Sequence, residues 1–198
     1  MSVNRSTAGQ GRPLDHDLTA TILDQTIRVL QNDGYALLRI ERIAGAVGCS
    51  KATIYRRWST RAELAAEALT KHSRVGEVPD TGNIIDDLVK HAWQNAVNQQ
   101  PPPGTDSSRR TLWAVVVEPD VRELFWESFL STRRAMGRSI IERAIARGEL
   151  PLNTDGDAIL DLIAGLTLYR GAVRNLPLTE ADYRRIITAI TASPPVTG

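Results

Sequence analysis

Residues 40–64 read IERIAGAVGCSKATIYRRWSTRAEL, and this stretch limits what the chain can fold into more than any other. Ile40, Ile43, Ala44 and Val47 recur at helical spacing and give a short apolar face. Gly48 tolerates the positive φ that ends such a helix. Ser50 then offers a side-chain oxygen to cap a second helix, expected over 51–58. That helix places Ile54 and Trp58 on one face. Lys51, Thr53, Arg56 and Arg57 lie around the rest, with Tyr55 among them. Thr60-x-x-Glu63 reads as a capping box that opens a third helix. Two short helices around a tight turn, the second rich in cations and hydroxyls, describe a helix-turn-helix that binds DNA.

The charge distribution agrees, although the net charge is only +1. Between residues 39 and 61, Arg39, Arg42, Lys51, Arg56, Arg57 and Arg61 face a single anion, Glu41. The rest of the chain is therefore net acidic, and a basic patch on such a body suits one polyanion at one place. The 198 residues allow one or two modest domains with a real core. No run of about 18 apolar residues is present, so no membrane span is expected. The start, MSVNRSTAGQGRP, has no apolar signal core, and a cytoplasmic location is expected. The single cysteine, Cys49, excludes an internal disulfide framework and a thiolate zinc site. A small turn residue is its simpler reading; a redox switch at a helix N-terminus is the rival. His16, His72 and His91 follow no metal-ligand spacing, and no phosphate-binding glycine loop occurs. Neither a cofactor nor an enzymatic activity is expected.

Along the chain, residues 1–14 read as a polar arm, either a tail or a segment carrying Arg12 to a minor groove. A long helix is expected from 15 to about 32, stopped by Gly34. After a helix over about 60–74, VGEVPDTGN marks the best boundary. This divides the chain into 15–75, holding the helix-turn-helix, and 76–198. The second part shows no period-two alternation and reads as helical, with segments over 83–98, 106–117, 118–147, 158–173 and 179–192. The fourth of these is apolar nearly all round, so it needs a second partner surface. Together with the Tyr183, Ile186, Ile187, Ile190 stripe, residues 158–173 and 179–192 point to a homodimer interface, a monomer core being the alternative. Trp93, Trp113, Trp126, Phe129 and Tyr169 lie on helices expected to surround a pocket, with His91 and Arg133 as polar partners. As a set they favour a small apolar or aromatic effector.

The stretch from Gly34 to Leu69 resembles the N-terminal signature of TetR-family transcriptional regulators. The match includes Ile43-Ala44, the turn Gly48-Cys49-Ser50, Thr53-Ile54-Tyr55 and Trp58. The resemblance implies an all-α fold of about nine helices: an N-terminal three-helix DNA-binding domain and a C-terminal ligand-binding and dimerisation domain. It implies a homodimer on palindromic double-stranded operator DNA, usually a repressor, released by a small effector. An activator or ligand-independent regulator is the alternative, with an enzyme or carrier on this helical scaffold as the more distant one. Thr53 and Tyr55 match DNA-contacting positions, and Lys51 and Ala52 lie where side chains reach base edges. Arg57 replaces a common histidine that touches phosphate, and Arg61 takes the phosphate role at the start of the next helix. Arg56 fits either base or phosphate. The usual serine or threonine before residue 40 is absent, and Arg39 stands there as a phosphate contact instead.

Overall fold

A computed structural model describes residues 13–98, 112–176 and 178–198. Residues 1–12 of the arm, with Arg5 and Arg12, and the first half of the expected 106–117 helix lie outside these residues. The described chain is helical, and its only extended pairing is a single bridge between Thr154 and Val196.

The first helix, α1 (Pro13–Asn32), buries Ile22, Thr26, Val29 and Leu30, one stripe at helical spacing. Gly34, at φ 81°, turns the chain out of it. A single 3₁₀ turn, Tyr35–Leu37, leads into α2 (Ile40–Val47), which buries Ile40, Ile43 and Ala44. Gly48 follows at φ 72° in the left-handed region and fixes the direction of the next helix, α3 (Lys51–Tyr55). The Ser50 hydroxyl caps α3 by accepting from the Thr53 amide at 3.1 Å. The regular part of α3 is shorter than the expected 51–58. At its end the Arg57 amide bonds the Ile54 carbonyl, and the backbone tightens before α4 (Arg61–His72). The box at Thr60 is offset by one residue: Thr60 Oγ1 accepts from the Glu63 amide, but the Glu63 carboxylate accepts from the Ser59 amide.

The C-terminal part begins with α5 (Ile84–Asn98), whose first amides are held by Asn83 Oδ1 and Glu149 Oε2. Next come α6 (Trp113–Val116) and α7 (Pro119–Phe125). The helix expected over 118–147 is one continuous rod with a wider turn inside it. Trp126–Leu130 form a π-helical turn, the Ser131 amide reaching back five residues to the Trp126 carbonyl, before α8 (Ser131–Ala146). The apolar segment forms α9 (Gly156–Leu168), capped by Asp155, and ends in a second π turn, Tyr169–Val173. The last helix, α10 (Glu180–Ala192), starts with a complete capping box between Thr179 and Asp182.

Two cores result. One joins α5, α8, α9 and α10 around Leu88, Ile140, Ile159 and Ile187. The other joins the N-terminal helices to residues 112–129, including Trp113, Phe125 and Phe129. The apolar interior therefore does not stop at the loop after α4, and α4 packs against α7.

Candidate nucleic-acid interface and effector cavity

The first site is the outer face of α2 and α3. Ile54 and Trp58 are fully buried and seat α3, while Trp58 Nε1 donates to Glu67 Oε2 at 2.6 Å and locks the indole to α4. Lys51, Ala52, Tyr55 and Arg56 consequently face outward, Tyr55 being 48% exposed. Thr53 is half-buried, its hydroxyl 2.9 Å from the Ser50 hydroxyl. Lys51 pairs with Glu41 across the turn at 3.2 Å, both side chains exposed. Such a pair contributes little and yields readily to a stronger anion.

Three arginines have local partners that their sequence positions did not disclose. Arg57 Nε donates to Thr19 Oγ1 of α1 at 3.1 Å, and Nη1 donates to the Thr53 carbonyl at 3.0 Å. It braces the recognition helix. Arg61 lies 4.5 Å over the Tyr35 ring. Burial pushes the Tyr35 phenol above its ordinary range, against the opposing pull of that guanidinium. Arg39 leaves α2 without a side-chain cap, and its Nη1 donates to the Ala36 carbonyl at 2.7 Å. Cys49 is half-buried against the N-terminal core.

The second site is a partly open cavity of about 430 Å³ lined by α5, α6, α7, α8, α9 and the first π turn. His91, Trp113, Trp126 and Arg133 line it. Three residues expected there sit elsewhere. Trp93 meets Tyr183 edge-on at 6.4 Å between α5 and α10. Phe129 is buried against Phe125, rings 5.2 Å apart, in the core shared with the N-terminal helices. Tyr169, the first residue of the turn after α9, is 53% exposed and outside the lining. The reason is angular: an aromatic on a helix facing a pocket points into it only if its own position does so. Sequence reasoning also missed Asn95, although it lies one turn after His91 on the same face of α5, a spacing that would have found it.

Arg133 is 3% exposed. Its Nη2 donates to the His91 carbonyl and its Nη1 to the carbonyl of Val75, in the segment leaving α4. Burial lowers the Arg133 pKa to about 10. It lowers that of His91 to about 3, with the Arg133 charge acting in the same direction, so His91 is neutral at physiological pH. A second link runs beside it: Thr70 Oγ1 on α4 is 2.7 Å from Ser128 Oγ on the π turn that carries Trp126. Among the described residues no cluster of side chains could hold a metal ion, and no helix is long and apolar enough to cross a membrane.

A helix-turn-helix with an outward recognition helix, carried on a helical domain with its own cavity, defines a class of helical DNA-binding protein. Residues 22–68 match the family model for bacterial regulatory proteins of the tetR family, and residues 78–190 match that for the tetracyclin repressor-like C-terminal domain. The chain belongs to the TetR family of DNA-binding transcriptional regulators. Over 167 residues it is 30% identical to an uncharacterized HTH-type transcriptional regulator of Mycobacterium tuberculosis, covering 84% of this chain and 82% of that one. It is also 30% identical over 174 residues to the DNA-binding transcriptional repressor TetR of Mycobacteroides abscessus, covering 85% and 89%. Among solved structures, a TetR transcription regulator from Haloarcula marismortui superposes with a TM-score of 0.66 at 22% identity, covering 90% of this chain and 98% of that one. That likeness shows the fold.

Proposed function

We propose that this regulator is a homodimeric repressor that holds a palindromic operator through two copies of α3 and releases it when a small molecule fills the cavity. Lys51, Ala52 and Thr53 approach base edges, while Tyr55, Arg56, Arg57, Arg61 and Arg39 act on the phosphates. The observation that carries the reading is the pair of bonds from the cavity wall to the DNA-binding domain. Arg133 to the Val75 carbonyl, just past α4, and Ser128, beside the wall, to Thr70 on α4 offer a route for a shift of the wall to reach α4. The description of the Mycobacteroides abscessus relative as a repressor supports the sign of the regulation. Exposed Leu162, Tyr169 and Val173 on α9 and the turn after it support pairing of two copies there.

A mobility shift on the DNA upstream of the protein's own gene tests the reading. A specific complex that is lost on adding cavity ligands supports it. A complex indifferent to every ligand class makes the protein a constitutive regulator, and the absence of a complex removes the operator assignment.

A further inference from the structure

The cavity is not a neutral apolar hole. Its wall carries three cations, Arg122, Arg133 and Arg134, against one anion, Asp161. Asp161 is already paired with Arg134 at 2.6 Å, and Arg134 also reaches Asp157 at 2.9 Å. Among the described residues no carboxylate lies within ion-pair distance of Arg133, which bonds backbone carbonyls instead. A buried guanidinium without a counter-ion is costly and is ordinarily paired. Three residues of the lining each carry a buried polar atom without a hydrogen-bond partner: Arg133 Nε, His91 Nδ1 and Asn95 Oδ1. Neutral His91 presents either an acceptor or a donor at Nδ1, and the Asn95 amide reverses by rotation to offer its NH2 group. Thr167, by contrast, is already committed to Tyr183 and the Ile163 carbonyl.

Resting on the reading of this cavity as an effector site, we infer that its ligand is an organic anion, a single carboxylate on an apolar or aromatic body, with the carboxylate seated at Arg133, His91 and Asn95. Arg133 Nε donates one charge-assisted hydrogen bond, the His91 tautomer with its proton on Nδ1 donates a second, and the reversed Asn95 amide a third. The body lies between Trp113 and Trp126. Leu160 and Leu168 complete the apolar lining. Arg133 thus holds the ligand by Nε and the Val75 carbonyl by Nη1, so the head group acts on the residue that grips the exit of α4.

The test uses the full-length protein with 1-naphthylacetate and its uncharged counterpart 1-naphthylacetamide, followed by calorimetry and tryptophan emission. The carboxylate is expected to bind about tenfold or more tightly than the amide. In Arg133→Gln that advantage is expected to disappear while amide binding persists. Equal binding of the two probes to the wild type overturns the anion assignment and leaves the effector cavity standing. Failure of both probes to bind or to move the emission overturns the cavity reading and the inference with it. A carboxylate advantage that survives in a folded Arg133→Gln overturns the role of Arg133. If that variant does not fold, Arg133→Lys, which keeps the charge and lacks Nε, replaces it, and an undiminished advantage there counts against the Nε contact.

Discussion

Arg57 looks, in the sequence, like one more cation of a basic helix. In the fold its guanidinium bridges α3 to Thr19 of α1, a residue 38 positions away. Truncating it therefore acts twice. Arg57→Ala is expected to weaken binding to all DNA sequences alike and to lower the salt slope by about one charge. It should also cost about 1 kcal/mol of stability through the lost bonds to Thr19 and the Thr53 carbonyl. An unchanged salt slope beside a lowered Tm would assign Arg57 to bracing alone. His91 gives a pH dependence of definite sign. Its folded pKa is depressed to about 3, below the ordinary 6.5. The unfolded chain thus binds the extra proton first. The stability tied to neutral His91 is complete above pH 6.5 and is lost as pH falls from there toward 3. Urea unfolding at pH 7 and pH 5 should differ by roughly 2 kcal/mol on this account, and the difference should shrink in His91→Leu.

Helix ends were the most legible elements, because a cap is written within four residues of chain. Ser50 caps α3 as its position suggested, and Gly48 takes the expected positive φ. A Cβ on Gly48 would meet nothing within 4 Å, so Gly48→Ala is opposed only by backbone conformation. It should cost about 1–2 kcal/mol and tilt α3 enough to lower operator affinity. Arg39 is the converse case. The start of α2 lacks a side-chain cap, so Arg39→Ser should raise stability by about 1 kcal/mol while removing a cation from the DNA face. A fall in both stability and DNA affinity would show that the Ala36 contact matters more than the cap. The π turns, by contrast, had no readable signal. A single extra residue in a helix leaves the apolar period almost intact, yet it rotates Trp126 and Leu130 into the cavity wall.

At the scale of the molecule, the core is continuous from α1–α4 into residues 112–129, which supply part of the cavity wall. Thr70→Val removes the bond to Ser128 at its edge. It is expected to leave operator affinity within a few-fold while blunting ligand-induced release, as read by mobility shift with and without ligand. The exposed α9 face makes a separate prediction: Leu162→Glu, at a position 52% exposed, should leave the fold intact by circular dichroism and yield monomers in sedimentation. Loss of high-affinity operator binding should accompany it, because one short recognition helix reads too few base pairs alone.

The sequence by itself determined the helix-turn-helix, its cap at Ser50, the all-helical character and the outward positions of Lys51, Tyr55 and Arg56, whereas Thr53 and Arg57, read with them, are half-buried. The features so determined depend on contacts within one or two turns, where spacing alone sets geometry. Tertiary structure alone decided that Trp93, Phe129 and Tyr169 turn away from the cavity while Asn95 and Arg134 join it. It also decided that Arg133 reaches Val75 across 58 positions and His91 across 42. Those pairings follow from how helices far apart in sequence pack and rotate against each other, and helical periodicity carries no information about the azimuth a distant neighbour will choose.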